Sequence, residues 1–186
     1  MDTNFAIKDY TGGQLNALVK ILQKQGGSDA VEKILRGELG LAEPKLHIID
    51  CDADPMIPFD GWKVEEHKKG DKLTFDASKI SLHLNDKQKK GSIEGNKLRK
   101  ELADQPVLNA NVLDYLMRNP QLIPDEWKQD EKGNTRYIFF WGTIYRHSDG
   151  YLCVRCLYWD GGHWQAGFNW LGLDRGSSSP AAVSAS

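Results

Sequence analysis

Apolar positions recur at two different spacings along this chain, and the change between them divides it. Leu15, Leu18, Val19 and Leu22 follow the i, i+3, i+4, i+7 stripe of an amphipathic helix. Gly26 and Gly27 break that stripe. Ser28 is placed to cap a second short helix that buries Val31, Ile34 and Leu35 and stops at Gly37. Residues 1–43 therefore read as an N-terminal helical hairpin. From residue 44 the apolar runs become short and strand-like. Leu46–Ile49, Trp62–Glu66, Lys72–Phe75 and Ile80–Leu84 are strand candidates, with turn chemistry at Gly70-Asp71 and Asn85-Asp86. Lys87–Gly91 reads as an exposed loop. Ser92 is placed to cap a helix to about residue 103, and Asn109 to cap another that buries Val112, Leu113, Leu116 and Met117 before Pro120.

The last third carries the clearest pattern. Tyr137–Arg146, Tyr151–Trp159 and His163–Leu171 are three strand-like runs. Ser148-Asp149-Gly150 and Asp160-Gly161-Gly162 between them are hairpin signals, so an antiparallel meander is predicted. Residues 177–186, rich in Ser and Ala and without an aromatic ring, read as a disordered tail. The fold class predicted is α+β: a helical hairpin, a mixed middle, and a meander packed on helices across residues 44–176.

Strand side chains alternate between faces. One predicted face of the meander gathers Ile138, Phe140, Ile144, Val154, Cys156, Trp164 and Phe168 and is apolar enough to be core. The other gathers Tyr137, Phe139, Trp141, Tyr145, Arg155 and Trp159, mixing rings with hydrogen-bonding groups. Left open, such a face is a binding surface that stacks on and hydrogen-bonds to a ligand or partner. Covered by a helix, the same rings are ordinary core.

Composition adds class and compartment. The 186 residues are 40% hydrophobic and 27% charged, which excludes wholesale disorder. No apolar run reaches the length of a transmembrane helix, and Met1–Asp9 lacks the basic flank and apolar run of a secretory signal. Three cysteines form no disulfide framework, so a reducing cytoplasm is expected. The formal net charge of -2 hides a basic middle. Residues 61–100 hold 11 basic and 6 acidic groups, while the flanks are both acidic. Lys68, Lys69, Lys87, Lys89 and Lys90 are the residues through which that middle would meet nucleic-acid phosphates.

Motifs for catalysis are weak. Cys153 and Cys156 have a C-x-x-C spacing that Cys51 and His163 would complete for zinc. On a strand, however, residues three apart point to opposite faces. Asp50, Asp52 and Asp54 resemble the start of a calcium loop, but Pro55 and Gly61 stand where its Gly and closing Glu belong. With Glu66 they remain candidates for a metal-dependent hydrolase. Asp60 with Glu66-His67-Lys68 is too short and too polar for the usual nuclease arrangement. The hairpin at residues 12–36 is only weakly basic for a DNA-reading helix-turn-helix. No phosphate-binding loop, dinucleotide fingerprint or hydrolase elbow occurs.

Thr11–Lys20 (TGGQLNALVK) with Ile34–Leu39 (ILRGEL) resembles the N-terminal module of a group of small bacterial proteins of no assigned function. Val107–Leu116, Phe139–Arg146, Leu157–Gly162 and Pro180–Ser186 resemble the C-terminal part of one of its subgroups. The resemblance implies a shared helical hairpin joined to a β-rich module, and it carries no catalytic residue or cofactor. The expected function is a non-enzymatic binding module, with a protein as the favoured partner, nucleic acid next, and neither membrane nor cofactor.

Overall fold

The structure, a computed structural model, describes residues 46–185, together with Lys20, which is helical. The helical hairpin expected over residues 1–43 lies outside the described residues. Residues 46–186 form a compact unit of their own, and its described part is a mixed α+β structure. Ten strands occur in it: β1 Ile48–Asp50, β2 Lys63–His67, β3 Lys72–Thr74, β4 Ile80–His83, β5 Ile93–Glu94, β6 Tyr137–Arg146, β7 Leu152–Trp159, β8 Trp164–Trp170, β9 Asp174–Arg175 and β10 Ala181–Ser184. Three helices join them: α1 Asp86–Lys90, α2 Gly95–Glu101 and α3 Ala110–Arg118.

The main sheet runs β4-β10-β6-β7-β8, and β2 pairs with the far half of β6. The meander β6-β7-β8 is antiparallel, as the hairpin signals require. Gly150 and Gly161 take the positive φ of 92° and 102° that these turns need. Asn109 caps α3, its side chain accepting from the Asn111 N–H. Three elements depart from the sequence reading. Residues 87–90 are not loop but the body of α1, fixed by a reciprocal Asn85–Gln88 capping box. The helix expected from Ser92 begins later, after β5. The expected disordered tail holds β10, whose Ala181, Ala182 and Val183 are buried between β4 and β6. Small side chains suit a strand that is covered on both faces, so a composition that resembles a linker is here a core strand.

The largest correction concerns the faces of the meander. Ile138 sits opposite Leu157, and Phe139 opposite Cys156. The middle strand is thus one step out of the phase expected from alternation. A second shift follows inside β6. Phe139 and Ile144 are both paired on β7, opposite Cys156 and Val154, so β6 spends an odd number of extra residues there. The six residues expected on one face are therefore split. Phe139 and Trp141 lie in a core with Ile144, Val154 and Cys156, roofed by Ile93, Leu98 and Leu102. Tyr145 packs with Cys153 and Ala110, and Arg155 reaches α3.

The irregular stretch of β6 is anchored at Gly142. Its N–H donates to the Leu108 carbonyl at 2.9 Å, and its carbonyl accepts from the Lys68 N–H at 2.6 Å. A Cβ at Gly142 would stand 2.9 Å from the Asn109 Cα and backbone N. Backbone atoms cannot step aside as a side-chain end can. Gly142→Ala should therefore cost about 2–3 kcal/mol, seen as a lower urea midpoint with an unchanged m-value. Removing residues 181–186 should abolish cooperative thermal unfolding, because β4 and β6 would both lose a ladder partner.

Candidate functional site

Thr143, next to Gly142, ties three segments together. Its Oγ1 accepts from the Ala110 N–H at 3.0 Å. His67 lies beside it, Nδ1 at 2.8 Å from Oγ1, while Nε2 faces the Cys51 carbonyl at 3.2 Å. A carbonyl can only accept, so Nε2 donates to Cys51. Asn109 Nδ2 donates to the carbonyls of Cys51 and Lys68 at 2.9 and 3.0 Å. Every polar atom of this knot is spent on the fold, and none faces a reactant.

On the α3 side, Arg155 Nη1 stands 2.8 Å from Asp114 Oδ1, with both side chains more than nine-tenths buried. Tyr145 lies against the pair and donates its hydroxyl to the Met56 carbonyl at 3.0 Å. The loop carrying Met56 and Phe59 covers a space of about 210 Å³ above Arg155. Asp114 supplies the counter-charge to the guanidinium there, so the space offers no unspent charge, although Nη1 is too poorly aligned with the carboxylate to count as hydrogen-bonded. Burial outweighs the attraction of Arg155 and holds the Asp114 carboxyl above the usual range.

The other side of the sheet holds a different kind of space. A cavity of about 360 Å³ lies between β2, α2 and β6, with Glu66, Lys68, Arg99, Lys100, Val107 and Trp141 in its lining. Trp141 is 4% exposed, and its Nε1–H has no hydrogen-bond partner. Indole nitrogen is donor only, so the group can be satisfied solely by an acceptor. Leaving a buried donor unmade costs about 1–3 kcal/mol. Three cations face one carboxylate in the lining, a formal excess of two positive charges. Arg99 is held by an ion pair with Glu66. Lys68 Nζ donates to the Ala103 carbonyl at 2.6 Å.

The position of α2 over this cavity is a matter of sequence. Gly95 at its start lies so close to Leu171 that a Cβ would meet the Leu171 carbonyl oxygen at 2.7 Å. Leu98 and Leu102 are buried in the core with Phe139 and Trp141. Arg99, Lys100 and Ala103 are thereby left to rim the cavity.

The predicted site residues are dispersed. Phe139, Trp141, Tyr145 and Arg155 are buried, so the open aromatic face does not exist as expected. Tyr137 is 41% exposed and stacks on Tyr158 with ring centroids 5.0 Å apart. Trp159 is half-buried, packing on Trp164 and under Lys128 Nζ. Of the five lysines, Lys87 is paired with Glu101, Lys89 with Asp86, and Lys68 is turned onto Ala103. Lys69 and Lys90 are exposed. Asp50 and Asp52 do not converge on a metal. They accept backbone N–H groups of residues 52, 53, 70 and 71 and so shape loops. Asp54 is exposed. Among the described residues no three His, Cys, Asp or Glu side chains gather as a metal site. Cys153 and Cys156 fall in cores on opposite faces, and burial pushes each thiol up to about 12. They are protonated at neutral pH and poorly suited to nucleophilic or metal chemistry. No described helix is long and apolar enough to cross a membrane.

The sequence reading found Trp141 and Lys68 but assigned them to separate sites. It missed Arg99 and Lys100, which sit on a helix expected only for its apolar face. Their i, i+1 placement on the polar side of α2, following the basic Lys68-Lys69, was the available signal.

The buried ion pair gives a test of the α3 side. Asp114 binds its proton more tightly folded than unfolded, so ionising it lowers stability. That loss should develop as pH rises from the ordinary carboxyl range through the higher folded value. Urea midpoints against pH should show the fall in the parent chain and not in Asp114→Asn. Arg155→Met should keep the fall, extend it to higher pH, and cost about 3 kcal/mol at neutral pH by stranding a buried carboxylate. No protein-family model, curated protein or solved structure matches this chain.

Proposed function

We propose that this protein is a non-enzymatic binding module whose cleft between α2 and β6 takes an anionic group of its ligand. The observation that carries the reading is the excess of two positive charges in the lining of a cavity that Trp141 also lines. An anion supplies the missing counter-charge. It offsets Lys68, Arg99 and Lys100 at short range in a partly water-excluded space, and the Trp141 ring beside it reports its arrival. A two-charge excess matches a phosphate dianion better than a single carboxylate. The Glu66 carboxylate occupies Arg99 until such a group arrives and competes for it. This reading keeps the binding function expected from the meander while moving it from an open sheet face to a cleft roofed by α2.

Nucleic-acid binding through the basic middle has less support. Lys87 and Lys89 of α1 are each paired with a carboxylate, and Lys68 belongs to the cleft. A metal-dependent hydrolase would need converging carboxylates, and Asp50 and Asp52 are committed to loop backbone.

Inorganic phosphate titrated into ¹⁵N-labelled protein tests the proposal. One indole N–H cross-peak, assigned to Trp141 by its loss in Trp141→Phe, should shift downfield and saturate. Lys68→Met with Lys100→Met should weaken the apparent affinity tenfold or more. Glu66→Gln should strengthen it severalfold by freeing Arg99. A Trp141 cross-peak that stays in place at saturating phosphate would overturn the reading.

A further inference from the structure

The cleft does not end at its charged part. Asn96, on the outer side of α2, lines it and also lines a second cavity of about 640 Å³. This second space is apolar in its walls. Tyr151, Trp170, Leu171 and Leu173 supply them, and Asp149 stands at the edge. Tyr151 is 68% exposed and Leu173 48% exposed. Together with the half-buried Trp170 they put contiguous apolar surface on one wall, the kind of patch that marks a binding site. The Tyr151 and Trp170 rings meet edge-on, with centroids 6.1 Å apart. Trp170 also packs on His147 and Phe168, so Tyr151 supplies most of the open ring surface of this wall.

Three observations meet at Asn96: an excess of positive charge on one side, exposed aromatic surface on the other, and one residue shared by both walls. We infer that the two cavities form a single composite site for a phosphate monoester carrying an aromatic ring, as in a mononucleotide or an aryl phosphate. The phosphate occupies the Lys68–Arg99–Lys100 end beside the Trp141 ring. The ring packs on Tyr151 and Trp170. Asn96 stands between them, its backbone N–H fixed on the Leu171 carbonyl at 2.9 Å and its Nδ2 donating to Glu94 at 2.8 Å. It lines both ends. The Asp149 carboxylate accepts from the Tyr151 N–H and lies at the apolar end of the site rather than in the lining of the charged end. The inference rests on the anion-binding reading of the cleft and adds the identity of the ligand's other end.

The test compares whole ligands with their parts. 1-Naphthyl phosphate and adenosine 5′-monophosphate, two probes of different reach, are titrated beside inorganic phosphate and 1-naphthol. Calorimetry measures affinity, and the Trp141 indole cross-peak reports the charged end. At least one of the two esters should bind tenfold or more tightly than either part, equivalent to about 1.4 kcal/mol. Tyr151→Ala should remove that gain and return the ester to the affinity of inorganic phosphate, with phosphate binding itself unchanged. Lys68→Met with Lys100→Met should reduce the ester to the affinity of naphthol. Tyr151 is exposed and borders the fold rather than filling its core, so its loss leaves the folded chain intact for the measurement. Esters that bind no better than phosphate would overturn the composite site and leave the anion cleft standing. Esters and phosphate that both fail to move the Trp141 signal would overturn the composite site and the cleft together.

Discussion

The approach of Gly142 to Asn109 is the contact on which the rest of the fold depends. Hydrogen in place of a side chain lets the β6 backbone lie against the start of α3. Once there, Gly142 cannot pair with β7 and instead joins Leu108 and Lys68. The break in the ladder reverses which face each later residue of β6 occupies. Trp141 turns toward α2, Thr143 toward α3, and one strand serves two cores. Both sides of the sheet are covered as a result, and the binding face must be sought where the covering helix stops short.

That geometry explains what was legible in the sequence and what was not. The meander was legible because its turn residues and strand lengths are local signals: Gly150 and Gly161 declare themselves in their own neighbourhoods. Asn109 declared the start of α3 for the same reason. The phase between strands was not legible. Whether Leu157 or Cys156 faces Ile138 depends on how two chains are juxtaposed, and an odd number of extra residues undoes any count made along one strand. The expected six-residue surface failed on that point rather than on residue choice. Alternation also does not reveal that the Trp141 ring is buried while its N–H finds no acceptor.

β10 failed to announce itself for a different reason. Ala, Ser and Val at its positions carry little hydrophobic signal, and their smallness is what allows a strand to sit between β4 and β6 with both faces covered. Local composition is a poor guide where neighbours supply the bulk. The basic middle misled in the opposite sense. A run of lysines counted along the chain suggested one electropositive surface, whereas the fold distributes them, pairs Lys87 and Lys89, and brings only Lys68 together with Arg99 and Lys100.

The placement of β10 also orders events in time. Ala182 lies opposite Leu82, and Ala181 beside Phe139, so an interior position of the sheet is filled by residues synthesised after every other strand of it. The β6-β7-β8 hairpins can form as they emerge, since each joins neighbours in sequence. β4 must wait for its partner across a hundred residues of intervening chain. Until then the nascent chain exposes two unsatisfied strand edges, those of β4 and β6, that will later lie either side of β10. A chain interrupted shortly before residue 181 would therefore be primed to accept a strand from any neighbouring copy, so residues 181–184 close the sheet against other chains as well as filling its core.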